Sequence, residues 1–230
     1  PELQALIGVP QSPKWHPEGD VWIHTMMCLD AMVTLLGNDK RLNLKLMFAI
    51  LCHDLGKATT TTVNTEGNIQ AIGHESAGIE PTKTLMYRLS DEHAFIESLL
   101  PLVQHHLAPS QFFAGEAKSA AIRRLATKVT ISELILVAKA DFLGRTTAEA
   151  KIGIYKAGDW LLEKAKNLSV EHKPLDPLIQ GRDLIKLGFK PSPQFKILLD
   201  NIYAKQLEGM ITDKDSALNY IQTTFVESNS

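Results

Sequence analysis

Apolar residues recur at three-and-four spacing along most of this chain, and sustained alternation with period two is hard to find. That pattern points to an all-α fold, because a strand buried on one face needs the alternation that is missing. The spacing predicts helices over residues 20–36, 41–55, 75–89, 92–107, 115–127, 130–144 and 147–167. The stretch 59–73, rich in Thr, Asn and Gly, reads as a long loop with a small hairpin turn at Glu66-Gly67-Asn68. Near residue 168 the texture changes. Lys173-Pro174-Leu175-Asp176-Pro177 and Lys190-Pro191-Ser192-Pro193 punctuate shorter helical stretches, of which 194–209 and 213–226 stand out, the last capped by Thr212 or Asp213. The expected organisation is a helical domain of residues 1–167 and a smaller helical tail of residues 168–230.

With 230 residues, 44% hydrophobic and 22% charged, the chain can bury a sizeable core. Its 24 basic side chains stand against 26 acidic ones, which removes the electrostatic case for a general nucleic-acid coat. Any RNA contact has to be local. Cys28 and Cys52 lie among apolar neighbours without a CxxC pair, which argues against a disulfide scaffold or zinc knuckle and for a reducing, cytoplasmic compartment. No apolar run approaches the roughly 18 residues of a membrane span, and no basic-then-apolar leader opens the chain, so no membrane partner is expected.

The informative residues are polar ones on the apolar faces of helices, since an unpaired buried charge costs several kcal/mol. Asp54 follows Met47, Ile50 and Leu51 at helical offsets, and His53 follows Leu46, Ala49 and Ile50 in the same way. His24 shares the stripe of Val21, Met27, Cys28 and Ala31, and Asp141 closes the stripe of Leu134, Val137 and Ala138. Three inward-facing helices each offering His or Asp suggest a shared divalent cation held by His24, His53, Asp54 and Asp141. Imidazole and carboxylate suit Zn, Mn, Fe, Ni or Mg, so the set selects no single metal. The alternative for each histidine is a core imidazole bonded to a backbone carbonyl. Against it, Asp54 sits where the helix dipole disfavours a carboxylate, a local violation more expected at a site than in scaffold.

His106 follows Leu99, Leu102 and Val103 and faces inward, while His105 points about 100 degrees away. His74 follows Gly73 at the end of the long loop. These three histidines are candidates for a second metal or a phosphate, or for ordinary capping and packing. His16, His93 and His172 sit in polar or loop contexts and are expected at the surface.

His24, His53-Asp54 with Leu55-Gly56-Lys57, and Asp141 with Gly144-Arg145 together resemble the HD superfamily of metal-dependent phosphohydrolases. The flanks narrow the resemblance. Gly8-Val9-Pro10-Gln11, Lys14-Trp15-His16-Pro17-Glu18-Gly19-Asp20, Ile23-His24-Thr25, Leu51-Cys52-His53-Asp54 and Gly73-His74-Glu75 look like the HD domain attached to bacterial tRNA nucleotidyltransferases, the CCA-adding enzymes. Pro177 to Leu184, Gly188 to Pro193 and Gln206 to Gly209 are similar to that family's C-terminal segment. The resemblance implies an all-α HD bundle and phosphohydrolase activity of the 2′,3′-cyclic phosphodiesterase, 2′-nucleotidase and phosphatase type. The family's nucleotidyltransferase head, with a Gly-Ser loop followed by an Asp-x-Asp pair, has no counterpart here, so nucleotide addition by this chain alone is not expected. With Pro1 first, the chain is expected to be the back part of a longer polypeptide or a descendant without the head.

In a phosphohydrolase a metal at His24, His53, Asp54 and Asp141 activates water and neutralises the non-bridging oxygens. Asp54 would orient that water. Lys57, three residues on, can reach a phosphate; otherwise it is an exposed lysine favoured by the helix C-terminus. Arg145, one turn beyond Asp141, is a natural phosphate clamp. No leaving-group acid stands out, with His74 or His106 available if free of metal. In the tail, Lys186, Lys190 and Lys196 form a candidate RNA-phosphate patch. Two functions follow: a hydrolase of nucleotide or RNA-terminal phosphoesters, or a non-catalytic body that positions tRNA and carries a vestigial HD site.

Overall fold

Asp20 accepts a hydrogen bond from the Ile23 amide and so starts α1 (Val21–Val33), and Asp39 serves the Arg41 and Leu42 amides at the head of α2 (Lys40–Cys52). The computed structural model, which describes residues 1–223, continues with α3 (Lys57–Thr60), β1 (Thr62–Val63), β2 (Ile69–Gln70), α4 (His74–Ala77) and α5 (Ile79–Leu89). Then come α6 (His93–His105), α7 (Ala108–Ala114), α8 (Ser119–Ala126), α9 (Ile131–Leu143), α10 (Ala148–Ile152) and α11 (Lys156–Asn167). The last are α12 (Gly181–Lys186), α13 (Gln194–Glu208) and α14 (Lys214–Ile221). The all-α expectation holds, with one small hairpin in the 59–73 loop. There the Asn64 side chain accepts from the Glu66 and Asn68 amides, and Gly67 takes the left-handed conformation the turn requires.

Where the elements differ from the spacing, a backbone feature explains it. Gly153, at φ 79°, caps α10 and breaks the single helix expected over 147–167. Gly78 separates α4 from α5, and α7, opened by Pro109 near its start, was not marked by the apolar pattern. Residues 224–226 of the last expected helix lie outside the described residues.

Contacts group the chain into two compact units. The first comprises Pro1–Ala117 and Lys128–Glu163. In it α1 packs on α2 and α9, and α2 and α5 pack on α6, around Leu6, Val21, Cys52, Leu55, Met86, Ile96, Leu99 and Val103. Each such aliphatic side chain contributes roughly 1.5–3 kcal/mol when fully buried. The second unit comprises Lys118–Thr127 and residues 164–223, with a core of Ile179, Leu184, Leu198, Ile202, Ile211, Ala217 and Ile221. The segment 118–127, which the sequence reading assigned to the first domain, joins the tail because α8 packs on α13 and Arg123 donates to the Leu207 carbonyl at 3.2 Å. No helix among the described residues is long and apolar enough to cross a membrane.

Candidate metal centre

Two glycines allow the first unit to bring its polar residues together. A Cβ on Gly56 would lie 2.0 Å from the His74 carbonyl oxygen, so only glycine lets α4 abut the turn after Asp54. A Cβ on Gly144 would lie 2.4 Å from Cys28 Sγ, so the end of α9 can press against α1 and set Asp141 beside His24. His53 and Asp54 follow directly on α2, and His106 directly on α6.

The imidazoles share one orientation. His53, His74 and His106 each donate from Nδ1 to a backbone carbonyl three residues earlier, of Ile50, Ala71 and Val103, all at 2.7 Å. His24 Nδ1 donates to Glu18 Oε1 at 2.8 Å. Each outer bond fixes a tautomer and aims Nε2 at the interior, as the outer partners of metal-bound histidines do. The Nε2 atoms converge on Asp54. Its Oδ2 lies 3.2 Å from His53 and 3.9 Å from His24, and its Oδ1 lies 3.3 Å from His74 and 4.0 Å from His106. Asp141 Oδ1 completes the first side, 3.1 Å from His24 Nε2.

This geometry fits divalent ions by what it leaves unanswered. His53 Nε2 and both Asp54 oxygens are buried and take part in no hydrogen bond of acceptable geometry. The Nε2 atoms of His74 and His106 face each other at 3.3 Å while both Nδ1 protons are spent on carbonyls, which sets lone pair against lone pair unless a cation or proton intervenes. The donor set divides into His24, His53 and Asp141 on one face of Asp54 and His74 and His106 on the other, with Asp54 able to serve both. Cys28 Sγ lies at the edge of the first group, 3.3 Å from His24 Nε2.

Protonation follows the same division. Burial alone would push the Asp54 carboxyl up, but His53, Lys57 and His74 outweigh it and hold it well below the usual carboxylate range. Asp141 behaves likewise through Arg145 and His24. Burial would lower His24 and His74, yet Cys28, Asp141 and Glu18 raise His24, and Asp54 raises His74, above the usual 6.5. Burial prevails at His106, which falls to about 3.

The centre forms the floor of a cavity of about 350 Å³ lined by Asp54, Lys57, His74, His106, Asp141 and Arg145, with Gln11, Trp15, His16 and Thr61 among the other lining residues. Lys57 is buried, its ammonium 2.7 Å from both Asp54 Oδ2 and Gln11 Oε1, so the exposed-lysine alternative does not hold. Arg145 Nη2 spans both Asp141 oxygens at 2.9 and 2.8 Å.

Three placements depart from the sequence reading. His105 is half-buried and stands outside the cluster, as its 100-degree offset from His106 dictates. His16, expected at the surface, lines the cavity; its ring sits edge-on to His24 and its Nδ1 donates to Glu18 at 2.9 Å. Burial lowers its pKa to about 4 in spite of that carboxylate. Glu18 itself was not anticipated. Burial would raise its carboxyl, but bonds from His16, His24 and the Thr146 amide hold it far below its ordinary value. The available signal was the pairing of His16 with Glu18 two residues on, just ahead of the Asp20 cap. Lys186, Lys190 and Lys196 are exposed on α12, in the following turn and on α13.

A helical bundle that converges His24, His53-Asp54 and Asp141 on one interior point positions these residues to hold a metal in the manner of an HD centre, and the HD domain is the family whose model matches, over residues 21–145. That span exceeds half of the chain, and the chain belongs to the HD domain family. Its similarity extends to multifunctional CCA proteins. That of Pasteurella multocida (strain Pm70) is 36% identical over 156 residues, covering 65% of this chain and 36% of the relative. That of Haemophilus influenzae (strain PittGG) is 37% identical over 160 residues, covering 65% and 37%. That of Methylococcus capsulatus (strain ATCC 33009 / NCIMB 11132 / Bath) is 31% identical over 191 residues, covering 79% and 42%. The chain thus spans about two fifths of the length of the curated relatives it matches. No solved structure matches it.

Proposed function

We propose that this chain is a divalent-metal phosphohydrolase that acts on nucleotide or RNA-terminal phosphoesters, with 2′,3′-cyclic phosphodiesterase, 2′-nucleotidase and phosphatase activities, in a cytoplasmic setting. The observation that carries this reading is the convergence of four imidazole Nε2 atoms on the buried Asp54 carboxylate, which pairs with Lys57 but has no hydrogen bond of good geometry at either oxygen, on the floor of an open cavity. His24, His53, Asp54 and Asp141 would hold one ion, and His74 and His106, with Asp54 between, a second. Mg, Mn, Fe, Ni and Zn all suit these donors. When bound, such ions supply Lewis acidity and water activation.

The rest falls to the chain's own groups. Lys57 and Arg145, already at the cavity wall, bind and orient the phosphoryl oxygens. Asp54, held ionised, orients the attacking water and accepts its hydrogen bond. Glu18 keeps His24 in the tautomer that leaves Nε2 unprotonated for a ligand bond. The test is hydrolysis of 2′,3′-cyclic AMP by the metal-loaded chain, compared with His53→Ala and Asp141→Ala. Turnover that both changes abolish supports the enzyme; folded, metal-loaded and inert protein overturns it.

A second reading is favoured by the likeness to multifunctional CCA proteins, which reaches beyond residue 145 in the longest of the three matches. In it the chain is a non-catalytic body that positions tRNA, with Lys186, Lys190 and Lys196 on the phosphates. Salt-dependent tRNA binding without any hydrolysis would favour this reading.

A further inference from the structure

The cavity has two unlike halves. The floor is charged and carries the metal donors and their partners. The outer half is built by the loop before α1 and by β2, which contribute Pro10, Ser12, Trp15, Ile69 and Gln70, with Thr61 from the end of α3. Two of these residues are in unusual states.

Trp15 is 56% exposed although it lines a cavity, and an indole left in water at a pocket rim forgoes most of its burial energy. Lys14 Nζ lies over its ring at 4.9 Å, and no ring stacks on it among the described residues. Thr61 presents the opposite anomaly. Its hydroxyl is buried and has no hydrogen-bond partner, whereas the neighbouring Thr59 and Thr60 hydroxyls both donate back to the Gly56 carbonyl. Thr61 stands one helical turn beyond Lys57, on the face that carries the ammonium to the floor. An unanswered hydroxyl and an open aromatic surface in the same cavity as the Lys57 ammonium match a ligand with a polar ring next to its phosphate and a flat ring further out.

We infer that the outer half of the cavity is a nucleoside subsite, in which the Trp15 indole carries the base and the Thr61 hydroxyl bonds the ribose of the same nucleotide. This rests on the hydrolase reading and deepens it. The volume of about 350 Å³ lies at the low end of small-molecule sites (roughly 300–1,000 Å³), which suits one terminal nucleotide. Stacking on Trp15 is tolerant of base identity, because every base has a π-face. Gln70, also at the rim, offers both a donor and an acceptor to a base edge. Trp15 and Thr61 are positioning residues here, and neither takes part in bond breaking.

The experiment compares the metal-loaded chain on a nucleoside 2′,3′-cyclic phosphate and on methyl riboside 2,3-cyclic phosphate, which lacks the base. Wild-type protein is expected to prefer the nucleoside. Trp15→Ala should erase on the order of tenfold of that preference, chiefly through KM. Thr61→Val should weaken both substrates alike, by a few-fold. Equal losses on the two substrates in Trp15→Ala, or no preference in wild type, overturn the subsite while leaving the hydrolase standing. A binding measurement separates the two readings if nothing turns over. Adenosine 2′-monophosphate should quench the tryptophan fluorescence of wild type, and Trp15→Phe, which retains Trp22 and Trp160, should lose that quenching. Quenching without hydrolysis supports the subsite and sinks the hydrolase. Absence of Trp15-dependent quenching overturns the subsite.

Discussion

The two units bury polar side chains to opposite ends. In the second, Asp183 accepts from the Gln180 amide and from Lys214, and Gln206 bonds residues 176 and 178, fastening the Pro-rich stretch before α12 to α13. These groups are answered by ordinary protein partners. Among the described residues the one unanswered atom there, Glu171 Oε2, belongs to a carboxylate whose other oxygen meets His172 at 3.0 Å. In the first unit the answering stops one bond short: His53, His74 and His106 are satisfied at Nδ1 and turn Nε2 toward Asp54, whose oxygens have the Lys57 ammonium beside them but no hydrogen bond of good geometry. Burial of a polar residue therefore does not distinguish architecture from a site. The direction of its unspent valence does.

The strongest challenge to that contrast is removal of a donor from the open side. His53→Ala or Asp141→Ala should lower phosphoester hydrolysis by roughly 10³-fold or more, with the circular dichroism spectrum retained. Persistence of activity in both would show the open valences to be unused. Next comes the outer bond. Glu18→Gln should weaken metal affinity by roughly 10–100-fold, read by isothermal titration, because His24 loses the carboxylate that fixes its tautomer.

A change of pH sharpens the comparison further. His24 and His74, raised above 6.5, carry protons in the ion-free chain that an ion has to expel. Above pH 6.5 their contribution to ion-free stability falls as pH rises through their folded pKa values, while metal affinity climbs. The upward shift in Tm on adding metal should therefore grow between about pH 6.5 and 8, and a shift that shrinks over that range would contradict the assignment of these two histidines. On the acid side His16 and His106, both lowered, withdraw stability as pH drops below 6.5. The smallest effect belongs to the second unit. Gln206→Ala should cost about 1–3 kcal/mol in chemical denaturation and leave metal titration unchanged.

Much of this was legible from helical spacing alone. His24, His53, Asp54, His106 and Asp141 fall on apolar stripes, and the structure buries all of them. What stayed hidden lacks periodicity. Glu18 and His16 come from the loop ahead of α1, where no repeat marks an inward face, and the assignment of α8 to the second unit depends on partners about 80 residues away. The breaks at Gly78 and Gly153 were visible as residues but not as boundaries, since an isolated glycine inside an apolar pattern is often tolerated.

Gly56 has one more consequence. Because its bare α-carbon meets the His74 backbone directly, His74 is fastened from the side, independently of the chain that leads to it. The tip of the hairpin at 64–68 can then lengthen, shorten or change composition among related proteins without dragging that imidazole away, whereas a single methyl group at position 56 would pry it loose.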